Sequence, residues 1–525
     1  MLNAAVSPRT VPLDPTLART CYQVLRDMAA VRATHPAFEL IDHHALTYGE
    51  LLSRIDACAA MLEGRGVRAG ERVAVMSNNR TEVLEAWLAC SRIGAVFVPF
   101  NPALRGPILA DMLELAVPAI AICEPEWVER LAETASTLSV VELCGMDNGI
   151  TDWGDARPGA VAIDPKALAI IMFTSGTTGR SKGVMWSSMT INCMAHSVAS
   201  TIGFGDDDRL HTALPMFHGN ALILSVYNAL TLGGTAVVSR KFSASGFAGE
   251  LERSGATATS FLGSMTNMVL GRSPDRSFEG RLRKALVIPA PPATIAAVEQ
   301  RFGCRVATAY GLADAGMPLF SGLDFANGSC GRVFDAFWEA MIIDADGSEV
   351  AVGTVGELAA RPRHADVPAM GYWRMPEATE AARADGWIRT GDLMRRDADG
   401  WFYFVDRGKD SMRRRGENVS SQEVEAVFER HPAVLECAAY PVPSEMSEDE
   451  IMLAVVLRPD ADIAALDLIR FAEPDLPYFA VPRFLRFMHQ LPKNSTEKVL
   501  KAELRKAGIV PGAFDLSKTS HQVTR

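Results

Sequence analysis

Long apolar runs, a basic excess and paired cysteines are all missing from this 525-residue sequence, and each absence removes a class of function. No apolar stretch is long enough to cross a bilayer, which excludes an expected membrane span. The N-terminus, with Asp14 and with prolines at Pro8, Pro12 and Pro15, lacks the basic-then-apolar order of a secretory leader, so the cytoplasm is the expected location. Net charge is -11, and the basic residues are scattered apart from Arg413, Arg414 and Arg415; nucleic acid is therefore not an expected partner. The nine cysteines are widely spaced, odd in number and never in a Cys-x-x-Cys pair, which argues against a disulfide framework and a zinc site and for a reducing compartment. Internal repeats and low-complexity tracts are absent too.

What is present is an ordinary globular composition, 48% hydrophobic and 22% charged, in a chain too long for one compact core. Apolar runs alternate with helical patterns: Arg72 to Met76, Glu82 to Ile93, Ala95 to Phe100, Ile108 to Leu115, Ala119 to Cys123. That is a βαβ rhythm. Further strand-like runs at 167–173, 235–238, 285–288 and 305–309 extend it, and from about Phe337 the texture changes to β-type segments with Asp-Gly turns. The fold class expected is α/β: a large N-terminal domain of parallel-rich sheets covered by helices plus a small β subdomain, with a small mobile C-terminal α+β domain. A charged, glycine-containing stretch at 406–417 reads as the boundary, giving an N-terminal domain at 1–408 and a C-terminal domain at 409–525. The polar residues after about Gly508 are expected to be poorly ordered.

The most informative segment runs from an apolar strand beginning at Ile170 into Thr174, Ser175, Gly176, Thr177, Thr178, Gly179, Arg180, Ser181 and Lys182. Gly176 and Gly179 let backbone amides approach an anion, the hydroxyls of Thr174, Ser175, Thr177 and Thr178 add donors, and Lys182 adds a point charge. The segment is built to hold phosphate. A P-loop NTPase is excluded by spacing, because its lysine is followed by Ser or Thr, whereas Lys182 is followed by Gly183.

This loop closely resembles the phosphate loop of the adenylate-forming superfamily, which includes acyl-CoA synthetases, luciferases and adenylation domains, and further segments follow in that family's order. Leu214 to Gly219 resembles the element bordering the acyl pocket, with His218 gating it. Tyr310, Gly311, Leu312, Ala313 and Asp314 resemble a motif usually read as Tyr-Gly-x-Thr-Glu, whose tyrosine stacks on adenine and whose acidic residue helps hold magnesium. Gly356 to Leu358, Gly371 to Trp373 and Pro376-Glu377 match an element to which no catalytic role is given. The segment from Trp387 to Asp392 resembles the one whose aspartate accepts from the ribose hydroxyls, with Arg407 assisting. The stretch from Arg407 to Glu425 resembles the hinge element, which places the pivot at Lys409 and the CoA-side glycine at Gly416. Lys498 in the segment 491–498 resembles the lysine that bridges the substrate carboxylate and the ATP phosphates. Together the matches run from Ile170 to Lys498, and the stretch Ser411 to Ser421 is nearest in flavour to carnitine and crotonobetaine ligases.

The resemblance implies an acyl-CoA ligase that uses ATP, Mg2+ and coenzyme A to convert a carboxylic acid into an acyl-adenylate and then a thioester. His218 and Lys498 are the expected catalytic residues and Asp314 the metal ligand. Phe217, Gly219, Gly263 and Ser264 are expected to line the acid pocket, on a helix at 217–226 and the segment 260–267, with room for a bulky apolar acyl group. Arg413 to Arg415 could instead meet CoA phosphates or form a solvated basic loop. A homodimer is the default assembly. Three departures fall on ATP and metal contacts: Ala313 lacks the family's hydroxyl, Asp314 is a methylene shorter than Glu, and Val287 to Pro292 lacks the usual glycine pair. They raise an alternative, an enzyme that takes preformed acyl-AMP and adenylates weakly or not at all. Delivery to a carrier-protein thiol, an oxidative reaction on the adenylate and a non-catalytic nucleotide sensor are the other readings.

Overall fold

The architecture follows from where the chain can bury unbroken apolar runs. The structure, a computed structural model, describes residues 14–144, 150–159, 161–174, 181–272, 281–290, 292–326, 328–384, 386–407, 411–444, 448–492, 499 and 501–524. It divides into two compact units, the first comprising Met1–Pro102, Ala116–Met172 and Gly183–Asp406, the second Ala103–Leu115, Phe173–Lys182 and Arg407–Arg525.

One seven-stranded sheet of the first unit runs in the order Arg305–Ala307, Lys284–Ile288, Ala258–Leu262, Arg209–Thr212, Thr235–Val238, Pro36–Leu40 and Leu46–Thr47, parallel except at the last pair. A second orders Gly371–Tyr372, Lys182–Ser187, Leu168–Thr174, Val96–Phe100, Arg72–Met76, Ile120–Cys123 and Ser139–Glu142. Val96–Phe100 and Ala258–Leu262 are buried at every position, as parallel strands covered on both faces must be. The covering helices start where the sequence supplies caps: Thr20 with Gln23 and Thr47 with Glu50 form capping boxes for Cys21–Arg32 and Tyr48–Gly64. Helix Thr81–Ile93 is buried along its length except at Arg92. A single apolar cluster joins residues of both sheets to these helices. The strands become antiparallel from Ala309–Leu312, which pairs with Gly316–Phe320, and past Trp338 they form a further antiparallel sheet, Trp338–Ile343 pairing with Val355–Pro362 and that strand with Trp387–Arg396. The class is α/β, with a smaller β subdomain.

In the second unit a hairpin of Ser411–Arg414 and Glu417–Ser420 precedes helix Ser421–Glu429. A four-stranded sheet follows, ordered Val434–Pro443, Asp449–Leu457, Phe484–Phe487 and Phe514–Asp515, with helices Ala465–Ala472 and Lys501–Ala507.

Three expectations are corrected. The run 305–309 is not one strand: it breaks at Thr308, whose backbone N–H donates to Ser321 Oγ at 2.7 Å, and the chain passes to a different sheet at Ala309–Leu312. The tail beyond Gly508 is ordered in part, because Phe514–Asp515 adds an edge strand and Leu516 is buried behind it. The helix expected at 217–226 begins instead at Asn220 and has π-type winding through Tyr227.

Candidate active site

Strand Leu168–Thr174 delivers the glycine- and hydroxyl-rich loop from a core in which Ile170 and Ile171 are fully buried. Thr174 is half-buried at its end and Lys182 opens the next strand. Ser175, Gly176, Thr177, Thr178 and Gly179 lie outside the described residues, as do Lys409 and Lys498 and the side chains of Gly263, Ser264 and Arg407.

Leu214 to Gly219 is held from a distance by a residue the motif does not contain. Asn79, buried, donates from Nδ2 to the carbonyls of Leu214 and Ser239 at 2.8 and 2.9 Å and accepts the Met216 N–H at 2.7 Å. The turn it fixes exposes the half-buried rings of Phe217 and His218, whose centroids lie 4.6 Å apart. Behind the π-helix, Ser225 donates to Ser260 and Ser260 to Thr212, each at 2.9 Å, and Thr212 Oγ1 accepts from the Leu214 amide at 3.2 Å. No motif contains this hydroxyl chain; its trace in the sequence is a polar residue in each of three buried segments. Windings of the π type recur at functional sites because the extra residue per turn redirects side chains.

The adenine and ribose candidates meet. Tyr310 O–H donates to Asp392 Oδ2 at 2.6 Å, with both residues buried. Gly311 follows in a position no other residue could fill at rest, since a Cβ there would lie 2.6 Å from Met317 Cγ and 2.8 Å from the Gly316 carbonyl. Two aromatic donors reach the next residues: Trp186 Nε1–H donates to the Ala313 carbonyl at 2.9 Å, and Tyr372 O–H donates to Asp314 Oδ2. Burial first, and then the charge of Asp314, push the Tyr372 phenol up, so it stays protonated and donating. Trp186 also packs against Gly219, where a Cβ would come within 2.9 Å of its ring. One indole therefore touches both the pocket turn and the Tyr310 to Asp314 segment.

Among the described residues no group of three or more His, Cys, Asp or Glu could hold a metal unaided. Magnesium carried by nucleotide phosphates needs only one or two protein carboxylates, a requirement that a single carboxylate such as Asp314 could meet. No helix among the described residues is long and apolar enough to cross a membrane.

In the second unit Gly416 adopts φ 84° and its N–H is shared by both Glu448 oxygens at 3.2 Å. The three neighbouring arginines have different fates. Arg414 is buried against Glu450 at 2.7 Å, burial pulling its pKa down to about 10, whereas Arg415 is exposed with its guanidinium 5.5 Å from the Tyr478 ring centroid. Arg414 is thus a structural cation and unavailable to an outside phosphate. Nearby, Glu423 accepts from the Ser181 hydroxyl at 2.6 Å; burial above all, and then Asp111, push its carboxyl up to about 7.

A family described as AMP-binding enzyme matches residues 25–373, and one described as AMP-binding enzyme C-terminal domain matches residues 423–498. A feruloyl-CoA synthase from Amycolatopsis sp is 32% identical over 472 residues, which cover 88% of this chain and 94% of that protein. A crotonobetaine/carnitine–CoA ligase from Salmonella choleraesuis (strain SC-B67) is 30% identical over 482 residues, covering 87% and 93%. Among solved structures, an o-succinylbenzoate CoA synthetase from Bacillus subtilis bound with a product analogue superimposes with TM-score 0.83 at 25% identity, covering 92% of this chain and 98% of that one. An amide bond synthetase from Marinactinospora thermotolerans does so with TM-score 0.80 at 26% identity, covering 93% and 99%.

Proposed function

This chain belongs to the AMP-binding enzyme family and is an acyl-CoA ligase that uses ATP and CoA, and from that premise we propose that its acid is apolar and bulky, with an aryl acid the first to try. The observation that carries the proposal is the half-buried pair of Phe217 and His218 rings beside Gly219, with the Trp186 indole packed beneath that glycine. Such a wall offers flat apolar contact and an edge of limited polarity, which suits a planar acyl group. Similarity to a protein named feruloyl-CoA synthase supports the same choice; a quaternary-ammonium acid would draw instead on the ring faces.

A carboxylate is a poor acyl donor, having no leaving group, and it repels the phosphates it must attack. In the mechanism we favour, the loop from Thr174 to Lys182 fixes the phosphates and Lys498 offsets the charge as the carboxylate attacks the α-phosphorus in line, giving acyl-AMP and pyrophosphate. Tyr310 would present its ring to adenine while its hydroxyl holds Asp392, the residue that would accept from the ribose hydroxyls, with Arg407 assisting. Asp314 would hold Mg2+, which supplies charge neutralisation at the phosphates. The thiol of CoA then attacks the acyl carbon and AMP leaves; Gly416 lines the thiol's approach after the C-terminal domain, 409–525, pivots at Lys409. His218 gates the acid pocket, and Gly263 and Ser264 would contribute to its lining. The nine cysteines are all free thiols, which supports work in a reducing cytoplasm, and a homodimer is the assembly to test first.

The test separates the half-reactions. Pyrophosphate release is measured from free acids with ATP, and thioester formation from matching acyl-adenylates with CoA. Release with aryl acids and weak turnover of carnitine is the expected outcome; preference for the ammonium acid sinks the substrate proposal. Thioester from adenylates alone, without release from any acid, would establish the adenylation-deficient reading that Ala313 and Asp314 raise. Transfer to a carrier-protein thiol in preference to CoA would overturn the choice of acceptor.

A further inference from the structure

The two residues at which this chain departs from the family's Tyr-Gly-x-Thr-Glu pattern are the same two that receive aromatic hydrogen bonds. Trp186 grips the Ala313 carbonyl and Tyr372 the Asp314 carboxylate. Both donors come from one rigid element: strand Gly371–Tyr372 pairs antiparallel with strand Lys182–Ser187, Tyr372 opposite Val184 and Gly371 opposite Met185. Flanking backbone bonds from Met370 to Met185 and from Trp373 to Gly183, both 2.7 Å, lock that pairing. The Tyr372 amide is fixed in turn by Thr379 Oγ1 at 2.9 Å. Trp186 and Tyr372 are 4% and 6% exposed, so neither polar atom can turn to bulk water instead.

We propose that Trp186 and Tyr372 form a two-point clamp that positions the Ala313–Asp314 peptide for the nucleotide half-reaction, doing through its backbone and one carboxylate oxygen what the missing threonine hydroxyl and longer glutamate do elsewhere in the family. With Oδ2 of Asp314 taken by a phenol, the direction of the other oxygen is set by the plane of the carboxylate. A threonine anchors itself by its own side chain, whereas alanine leaves only a carbonyl to hold, and the indole N–H holds it. Asp314 and Tyr372 are matched in reach: a glutamate at 314 would push its carboxylate into the phenol or force it to swing away. Trp186 and Tyr372 are positioning residues, acting through the segment and touching neither reacting atom. The inference rests on the reading that this enzyme adenylates its acid.

The test uses the full chain with Tyr372→Phe, Trp186→Phe and Asp314→Glu, and reads equilibrium affinity for ATP with and without Mg2+ by calorimetry beside the two half-reactions. Tyr372→Phe, which keeps the ring, is expected to weaken Mg2+-dependent ATP binding and to slow pyrophosphate release about tenfold, the scale of a lost hydrogen bond to a charged group. Thioester formation from a preformed adenylate stays within about twofold of wild type, since that step does not use the phosphate contacts. Trp186→Phe shows the same split between half-reactions with a smaller loss, and Asp314→Glu lowers pyrophosphate release while Tyr372 is present. Equal losses in both half-reactions, unchanged ATP affinity in Tyr372→Phe, or faster release in Asp314→Glu would each overturn the clamp. Failure of the adenylation reading is recognised separately, by a wild-type enzyme that binds ATP and releases no pyrophosphate from any acid, and it removes the clamp's function with it.

Discussion

Two helices, one in each unit, bury carboxylates in opposite electrostatic settings. Helix Thr81–Ile93 of the first unit carries Glu82 against the guanidinium of Arg80 at 2.7 Å, both at most 2% exposed, with the Thr151 amide and hydroxyl donating at 2.8 and 2.9 Å. Burial works to raise its pKa, but Arg80 and Thr151 win, and the carboxyl sits below its ordinary range. Helix Ser421–Glu429 of the second unit carries Glu423, which accepts from the Ser181 hydroxyl and whose charged neighbour is Asp111; here burial wins. Glu425 on the same helix is raised by burial too, despite Lys501 at 2.6 Å and the Ala439 amide at 2.7 Å. The difference teaches that ionisation follows the balance of burial against the number and charge of the donors, a balance that burial wins at Glu85, on the same helix as Glu82, despite Arg54 and Trp153. Glu82 is thus held as a buried charge, whereas Glu423 titrates near neutrality.

Breaking the contrast at its strong end has the largest effect. Arg80→Leu strands a buried carboxylate, and denaturant unfolding should show a loss of about 3–5 kcal/mol; a loss below 1 kcal/mol would mean Glu82 simply protonates. Next, Lys501→Met removes the cation from Glu425, a pair about 15% exposed on each side, and should cost about 1–3 kcal/mol in the same measurement at pH 8. Third comes Glu423→Gln. Its folded pKa is raised, so the stability it contributes is full below about 4.5 and is lost as pH climbs through about 7. The glutamine variant should therefore match wild type at pH 5 and exceed it by roughly 1–3 kcal/mol at pH 8. Parallel pH profiles for the two proteins would show that the carboxylate finds enough compensation in its ionised form.

What could be read in the sequence, and what could not, divides along contact range. The βαβ rhythm, the parallel sheets and the antiparallel strands past Trp338 rest on patterns within ten or so residues, which periodicity reports directly, whereas the antiparallel pairing that already begins at Ala309–Leu312 was not read. The break at Thr308 and the edge strand at Phe514–Asp515 were missed because each depends on a partner strand far away in sequence. The same holds in the site. Tyr310 and Asp392 were each visible in a motif, yet nothing local says that one hydroxyl bonds the other across 82 positions. Asn79 lay in no motif at all. Trp186 left one trace: an indole in a buried strand must find an acceptor for its N–H, so a tryptophan four residues after Lys182 promised a partner, though not which one.

The smallest predicted effect bears on the most distant of these contacts. Ser181, in the segment leading from the phosphate loop, counted in the sequence only as the residue that precedes Lys182, yet it donates to Glu423 from 242 positions away. Ser181→Ala removes the hydroxyl that pulls the Glu423 pKa down, leaving burial and Asp111 to push it further up. A hydrogen bond to an ionised acceptor is worth more than one to a neutral acid. The variant should thus lose about 0.5–1.5 kcal/mol at pH 8, less at pH 5, and its stability should go on falling to a higher pH than in wild type. An equal loss at both pH values would mean that the hydroxyl packs against Glu423 without sensing its charge, and the titrating behaviour of the second unit would then rest on burial and Asp111 alone.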